Sequence, residues 1–349
     1  LAAKPISFEE LREVMSQPPF AVVSNSNQIA VAVSGGPDSL ALAHLLSLWS
    51  AQTKGPKITA LIVDHALRPG SAAEAKAVKK LLSSYKNIRA TILTRAAPRS
   101  RTKMLEQARF DRYALMIDYC KAAKISHLFL GHHQDDQAET FLLRLAGGSG
   151  LDGLAAMRPA QARQEGVTLL RPLLEFPKDR LQATCEAGDI AYVEDPTNQA
   201  AEFARPRLRQ ARDALAREGL TAKRLSMTAQ RMERARLALD TVAAALYQKT
   251  LQEKKSKRIV FKLKMLYEQP GELVLRVLIK GYQQLQPDQT YAPRLERLEH
   301  IANDLQASAD KAGAKGAFRK RTLGGVIFEI DQKQGLLILS LERSGFKNT

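Results

Sequence analysis

Along the first two hundred residues, short apolar runs alternate with longer segments whose apolar positions recur every three or four residues. Residues 29–33, 58–63, 88–93 and 127–130 read as buried strands, and segments near 38–50, 72–85 and 104–123 read as the helices between them. Such alternation predicts an α/β fold with a doubly wound parallel sheet, whose ligands sit beyond the carboxyl ends of the strands. From about residue 220 to 305 the period turns helical, with Leu225, Met232, Leu239, Val242 and Leu246 spaced for one long amphipathic helix. Pro270-Gly271 breaks that pattern, and a helix resumes over 273–285. Near the carboxyl end, residues 324–331 and 336–340 read as a hairpin about a polar turn at 332–335. The expected organisation is an α/β domain over 1–217, a helical domain over 218–310 and a small β-containing segment over 311–349.

The end of the first predicted strand is the most informative stretch. There the chain runs Ser34-Gly35-Gly36-Pro37-Asp38-Ser39 and passes directly into an apolar helical segment. A strand, a Gly-rich bend and a helix start in that order aim several backbone N–H groups at one point, as a polyphosphate requires. Pro37 suits a first helical turn, and Ser34 and Ser39 add hydroxyl donors. The run contains neither Gly-x-x-x-x-Gly-Lys-Ser/Thr nor Gly-x-Gly-x-x-Gly, so the Walker and dinucleotide readings both fail. Asp38 is a carboxylate where anion binding alone would not put one; a cation bridging it to phosphate resolves that conflict.

Charge then narrows the partner. Fifty-three Lys and Arg against 36 Asp and Glu give a formal net charge of +17, about +11 of it within residues 201–280, which favours a polyanion such as RNA. Cys120 and Cys185 lie far apart, which predicts neither a disulfide framework nor a zinc knuckle and fits a reducing compartment. With no long apolar run and no signal-type start, a cytoplasmic protein without membrane attachment is expected. The chain opens at Leu1 rather than Met, so a missing or processed start is expected as well. Oligomeric state stays open, a homodimer included.

Two further strand ends carry polar tails. After the second strand come Asp64 and His65, placed to reach the base or ribose of a nucleotide or to be satisfied core groups; Ser71 and Glu74 have capping-box spacing for the helix beyond. After the fourth comes Gly131-His132-His133-Gln134-Asp135-Asp136-Gln137-Ala138-Glu139-Thr140. Three readings fit this run: a metal cluster, a helix start capped between Asp136 and Glu139, or a pair of carboxylates seating a substrate ammonium.

The loop resembles the PP-loop, Ser-Gly-Gly-x-Asp-Ser, of the N-type ATP pyrophosphatases. The wider set is similar to that of bacterial tRNA(Ile)-lysidine synthases. It comprises Asp64-His65-Ala66-Leu67-Arg68, Glu106-Gln107-Ala108-Arg109 with Arg112-Tyr113, the histidine and carboxylate run above, Gly148-Ser149-Gly150-Leu151 with Gly153-Leu154, Arg171-Pro172-Leu173-Leu174, and Glu194-Asp195-Pro196-Thr197-Asn198. The seven motifs stand in register over roughly residues 25–215.

The resemblance implies an adenine-nucleotide alpha-hydrolase-like domain that uses ATP to join L-lysine to the wobble cytidine of an isoleucine tRNA with a CAU anticodon, releasing AMP and pyrophosphate. It implies that Ser34, Gly35, Gly36, Pro37, Asp38 and Ser39, with Asp64 and His65, hold ATP, and that Asp38 holds magnesium. Asp38, Arg112, His132 and Asp136 would be catalytic, and Asp136 and Glu139 would bind lysine. Which of Asp136, Glu139 and His132 deprotonates the amine stays open. Arg205, Arg207 and Arg209 would contact tRNA; the family commonly has Arg-Asn where this chain has Arg205-Pro206. A tRNA thiolase of the same class would need sulfur-relay cysteines or a cluster, against which two dispersed cysteines argue. A non-catalytic RNA binder would not need Asp38, Asp136 and Glu139.

Overall fold

The computed structural model describes residues 3–64, 70–94, 104–163, 165–192, 204–287, 295–308 and 318–342, with the side chains of 104–109 excepted. The chain forms two units, Leu1–Glu233 and Arg234–Thr349. The first begins with α1 (Phe8–Ser16), then alternates β1 (Gln28–Ala32), α2 (Pro37–Thr53), β2 (Lys57–Asp64), α3 (Ser71–Leu82), β3 (Ile88–Thr94), α4 (Met104–Ala122), β4 (His127–Phe129) and α5 (Gln134–Ala146). It continues through α6 (Leu151–Leu154), β5 (Ala160–Ala162), β6 (Thr168–Leu170), α7 (Lys178–Ala187), α8 (Ala204–Gln210) and α9 (Arg212–Arg217) into α10 (Ala222–Thr250), inside which the unit boundary falls.

The six strands stand in the order β3-β2-β1-β4-β6-β5, parallel except for the antiparallel edge strand β5. All four strands expected from the apolar runs are present. Their residues alternate between two cores: Ile29, Val31, Ile58, Ala60 and Ile62 pack with α1, α2 and α7, whereas Ala30, Leu61 and Leu128 pack with Met116, Ile117 and Cys120 of α4. A strand buried on both faces needs apolar residues at every position, which is why these runs are continuous rather than alternating. The chain winds outward from β1 to β3 and returns to β4 on the other side of β1, so the order reverses between β1 and β4, where open α/β sheets bind ligands.

Gly131, just past β4, makes that junction close. A Cβ there would lie 2.9 Å from the Asp38 carbonyl oxygen and 3.1 Å from the Ser39 Cα, so only glycine lets the β4 loop rest on the first turn of α2. At the start of α3, Gly70 and not Ser71 is the N-cap, at φ 97°, so the expected Ser71–Glu74 box is not the cap that forms. The helix begins one residue earlier than the spacing indicates.

The second unit departs from the helical reading of 220–305. Beyond α10 come β7 (Leu251–Lys255), β8 (Arg258–Lys262), α11 (Leu263–Tyr267), α12 (Gly271–Leu285), α13 (Leu295–Ala307), β9 (Arg321–Leu323), β10 (Val326–Asp331) and β11 (Leu336–Leu341), with a sheet ordered β7-β8-β11-β10-β9. The predicted C-terminal hairpin is β10–β11, but β11 also pairs with β8 from Lys262 to Arg258. The C-terminal strands thus share one sheet and one core with the region before them, where separate segments were expected at 218–310 and 311–349. Local periodicity missed β8 because its three core residues, Ile259, Val260 and Phe261, are flanked by Arg258 and Lys262 and stabilised by a partner far along the chain. Among the described residues no helix is long and apolar enough to cross a membrane.

Two outcomes are expected. Gly131→Ala should lower thermal stability by several degrees, while Gly36→Ala, whose Cβ meets nothing closer than the Ser34 hydroxyl at 3.8 Å, should not; calorimetry compares them. Arg180 of α7 donates to the carbonyls of Lys4 and Pro5 and to both oxygens of Glu10 at 2.7 and 2.8 Å, a hydrogen-bonded pairing that lowers the Glu10 carboxyl to about 2 against a partial burial cost. A depressed carboxyl stabilises the fold above its unfolded value and loses that contribution as pH falls from about 4.5 toward about 2. Arg180→Ala should therefore cost about 1 kcal/mol near neutrality, allowing for solvent screening, and less in acid; an equal cost at pH 7 and pH 2.5 in urea melts contradicts this.

Candidate active site

The loop between β1 and α2 is held by its own serines. Ser39 Oγ accepts the Ser34 N–H at 3.1 Å, lies 3.2 Å from Ser34 Oγ and donates to the Gly36 carbonyl at 3.1 Å. Gly35 has φ +90°, and a Cβ on it would meet Val78 Cγ2 of α3 at 2.7 Å, so conformation and space both require glycine. Gly36 is the N-cap of α2 and Pro37 and Asp38 are its first residues, leaving the N–H groups of the first turn without helical partners. Free N–H groups at a helix start suit an anion, and a Cβ on Gly36 would meet nothing closer than the Ser34 hydroxyl at 3.8 Å.

Asp38 turns one oxygen toward the second motif. Its Oδ2 lies 3.5 Å from His133 Nε2, and the same nitrogen lies 3.4 Å from Asp136 Oδ2. Asp38 and Asp136, nearly a hundred residues apart in sequence, thus share one imidazole nitrogen. His133 is 3% exposed. Burial alone would push its pKa down, but the hydrogen bond to Asp38 and the charges of Asp136, Asp38 and Asp135 outweigh that and hold it above the ordinary histidine value.

Helix α5 is capped between His133 and Asp136, whose Oδ2 accepts the His133 N–H at 3.2 Å, and not between Asp136 and Glu139. Glu139 lies one turn on, free of capping duty and buried. Both of its oxygens accept from Arg209 of α8, from Nε at 2.5 Å and from Nη2 at 3.3 Å. Burial opposes the Arg209 charge; Glu139, Asp136 and Asp38 favour it and raise its pKa, so the cation sits within the field of all three carboxylates. On the same basic stretch Arg205 donates to Thr140 Oγ1 at 3.4 Å and Arg212 lies 3.3 Å from Asp135 Oδ1.

Two of the three arginines expected at RNA are therefore turned onto α5, and Arg207 is exposed. Pro206 is buried in the first turn of α8, a position compatible with helix. His132 accepts the Arg171 Nε–H on Nδ1 at 3.3 Å. Asp64 is buried at the end of β2, and Arg112 lies on α4 with its guanidinium 5.5 Å from the Tyr113 ring centre. His65, the Glu106-Gln107-Ala108-Arg109 side chains and Glu194 to Asn198 lie outside the described residues. His133, Arg171 and Gly131 were quoted only as parts of motifs. The signal for each was its place in a run of polar residues at a strand's end.

Two cation questions have different answers. Among the described residues no group of three or more His, Cys, Asp or Glu side chains is arranged to hold a metal ion by itself, so the metal-cluster reading of 132–139 gains no support. Asp38 Oδ1, in contrast, is buried without a hydrogen-bond partner among the described residues. A bare carboxylate oxygen beside a phosphate cradle fits a hard cation that brings its remaining ligands from phosphate and water.

Residues 6–212 match the PP-loop domain family. The chain is 38% identical over 322 residues to the tRNA(Ile)-lysidine synthase of Rhodopseudomonas palustris, covering 91% of this chain and 92% of that protein. It is 36% identical over 344 residues to the tRNA(Ile)-lysidine synthase of Methylobacterium nodulans, covering 98% and 97%. Among solved structures, the U34-tRNA thiolase NcsA from Methanococcus maripaludis with its [4Fe-4S] cluster matches with a TM-score of 0.55 over 65% of this chain and 77% of that one; at 20% identity the likeness concerns the fold alone. A phosphate cradle and an acidic helix start joined through one buried histidine, in a sequence this close to those relatives, place the chain in the tRNA(Ile)-lysidine synthase family of ATP-using PP-loop enzymes.

Proposed function

We propose that this enzyme joins the ε-amine of L-lysine to C2 of the wobble cytidine in an isoleucine tRNA with a CAU anticodon, through an adenylated cytidine. The observation that carries the reading is the sharing of His133 Nε2 by Asp38 and Asp136, at 3.5 and 3.4 Å. It brings the seat for a triphosphate within a few ångströms of an acidic face, as a reaction between a nucleotide and an amine requires.

In the first step the cytosine carbonyl oxygen attacks the α-phosphorus of ATP, forming an O–P bond and expelling pyrophosphate. The backbone N–H groups of Gly36, Asp38 and Ser39 and the hydroxyls of Ser34 and Ser39 bind phosphate oxygens, with Asp64 and His65 toward the nucleoside and Arg112 and His132 at the reacting phosphate. Magnesium held by Asp38 would supply charge neutralisation there. In the second step the amine nitrogen bonds to C2, the C2–O bond breaks, and AMP leaves. Asp136 and Glu139 hold the ammonium and orient it. The free amine has a pKa near 10.4, so a proton must be taken from it before or during attack. Arg207 is assigned to tRNA phosphates, and so, separately, are basic residues of the second unit.

Incubation with ATP, magnesium, unmodified isoleucine tRNA and labelled lysine should transfer label to RNA with one AMP per lysine; tRNA binding without transfer under those conditions sinks the proposal. Asp38→Ala should lower tRNA-dependent pyrophosphate release about 100-fold or more, whereas Glu139→Gln should act mainly on lysine, raising its KM about ten-fold. Equal loss of both steps in both variants would overturn that division. Arg207→Gln should weaken tRNA binding and reduce the slope of log K against log salt by about one; an unchanged slope moves the phosphate contact elsewhere.

A further inference from the structure

His132 sits between β4 and α5, and Arg171 directly follows β6, the neighbouring strand. The ladder continues past β4 through the Leu130 N–H to the Leu170 carbonyl at 2.9 Å, which brings the two residues side by side. Arg171 is 6% exposed, and all three guanidinium nitrogens are committed: Nη1 donates to the Arg158 carbonyl at 3.0 Å, Nη2 to Gln161 Oε1 at 3.1 Å and Nε to His132 Nδ1 at 3.3 Å. Its backbone N–H is fixed too, donating to the Pro159 carbonyl at 2.8 Å. A guanidinium keeps its charge and only donates. The ring nitrogen that meets it must therefore present a lone pair, which leaves the single proton of a neutral imidazole on Nε2. Protonating Nδ1 as well would set N–H against N–H and cation against cation beside a buried group.

We infer that Arg171 is a positioning residue that holds His132 as its neutral Nε2–H tautomer, so that His132 works as a hydrogen-bond donor to phosphate and not as the base for the amine. The inference rests on the proposed place of His132 at the reacting phosphate. Nε2 already carries a proton and Nδ1 is occupied by Arg171, so neither nitrogen is open to take one. His132 leaves the set of groups that deprotonate lysine, and the α5 carboxylates remain. A fixed N–H suits the adenylation step, because negative charge grows on the non-bridging oxygens as pyrophosphate departs.

Nitrogen-15 NMR of the histidine-labelled full chain reads the tautomer without any turnover, with His132 assigned by its disappearance in His132→Gln. An unprotonated Nδ1 and a protonated Nε2 are expected; an imidazolium or an Nδ1–H tautomer overturns the inference. Arg171→Lys keeps a cation but removes the Nε donor. It should mix the tautomers and lower the kcat of tRNA-dependent pyrophosphate release about ten- to 100-fold, with the lysine KM within about two-fold; an unchanged tautomer and kcat would count against Arg171. Should that variant fail to fold, substitutions at His132 decide. Gln carries an N–H near the Nε2 position and Asn only near Nδ1, so His132→Gln should retain about ten-fold more of the pyrophosphate-release rate than His132→Asn. Equal rates would refute the donor role. A chain with the Nε2–H tautomer that makes no lysidine would sink the proposed function and leave the tautomer assignment standing.

Discussion

Four carboxylates, Asp38, Asp135, Asp136 and Glu139, gather where α2 meets α5, and their mutual repulsion is the constraint that the rest of the site answers. Like charges this close, partly out of water, repel one another unless cations or hydrogen-bond donors stand between them. The buried His133 reaches three of them, with its favoured charge set by those neighbours against the cost of burial. Arg209 covers Glu139, and Arg212 meets Asp135. The Lys178 N–H, at the first residue of α7, donates to the second Asp135 oxygen at 3.0 Å. Among the described residues, Asp38 Oδ1 is the buried carboxylate oxygen left without a hydrogen-bond partner, and it stands at the Gly-rich loop.

The sheet makes that gathering feasible. The reversal of strand order between β1 and β4 sets the Gly-rich loop and the histidine loop side by side, and Gly131 lets the two backbones touch. Gln137 then ties α5 to the loop after α6 through paired hydrogen bonds with the Met157 backbone, at 2.8 and 2.9 Å. The carboxylates of α5 are therefore mounted on a helix fastened at its start and one turn along, rather than on a free loop.

Sequence showed most plainly what is local. The strands, the Gly-rich bend and α10 follow from runs and periods a dozen residues long, and the first turn of α2 follows from Pro37 alone. The role of His133 was hidden because its three partners come from two motifs nearly a hundred residues apart. Arg171 sat in a recognised Arg-Pro-Leu-Leu run, yet its bond to His132 depends on the pairing of β4 with β6, which no local pattern encodes. Arg209 was read from its charge as an RNA contact; a guanidinium has equal use for a carboxylate, and only the approach of α8 to α5 decides between them. The strand β8 escaped for the same reason, its stability arising from β11 some eighty residues later.

The pairing of Arg209 with Glu139 has a bearing on what a further cation would meet at α5. A guanidinium already neutralises that carboxylate, so a second cation would have to exchange places with a resident one instead of filling an electrostatic void, and its net gain from charge would be small. On the proposed assignment of Glu139 to lysine, discrimination would then fall to the length and fit of the aliphatic tether that carries the amine.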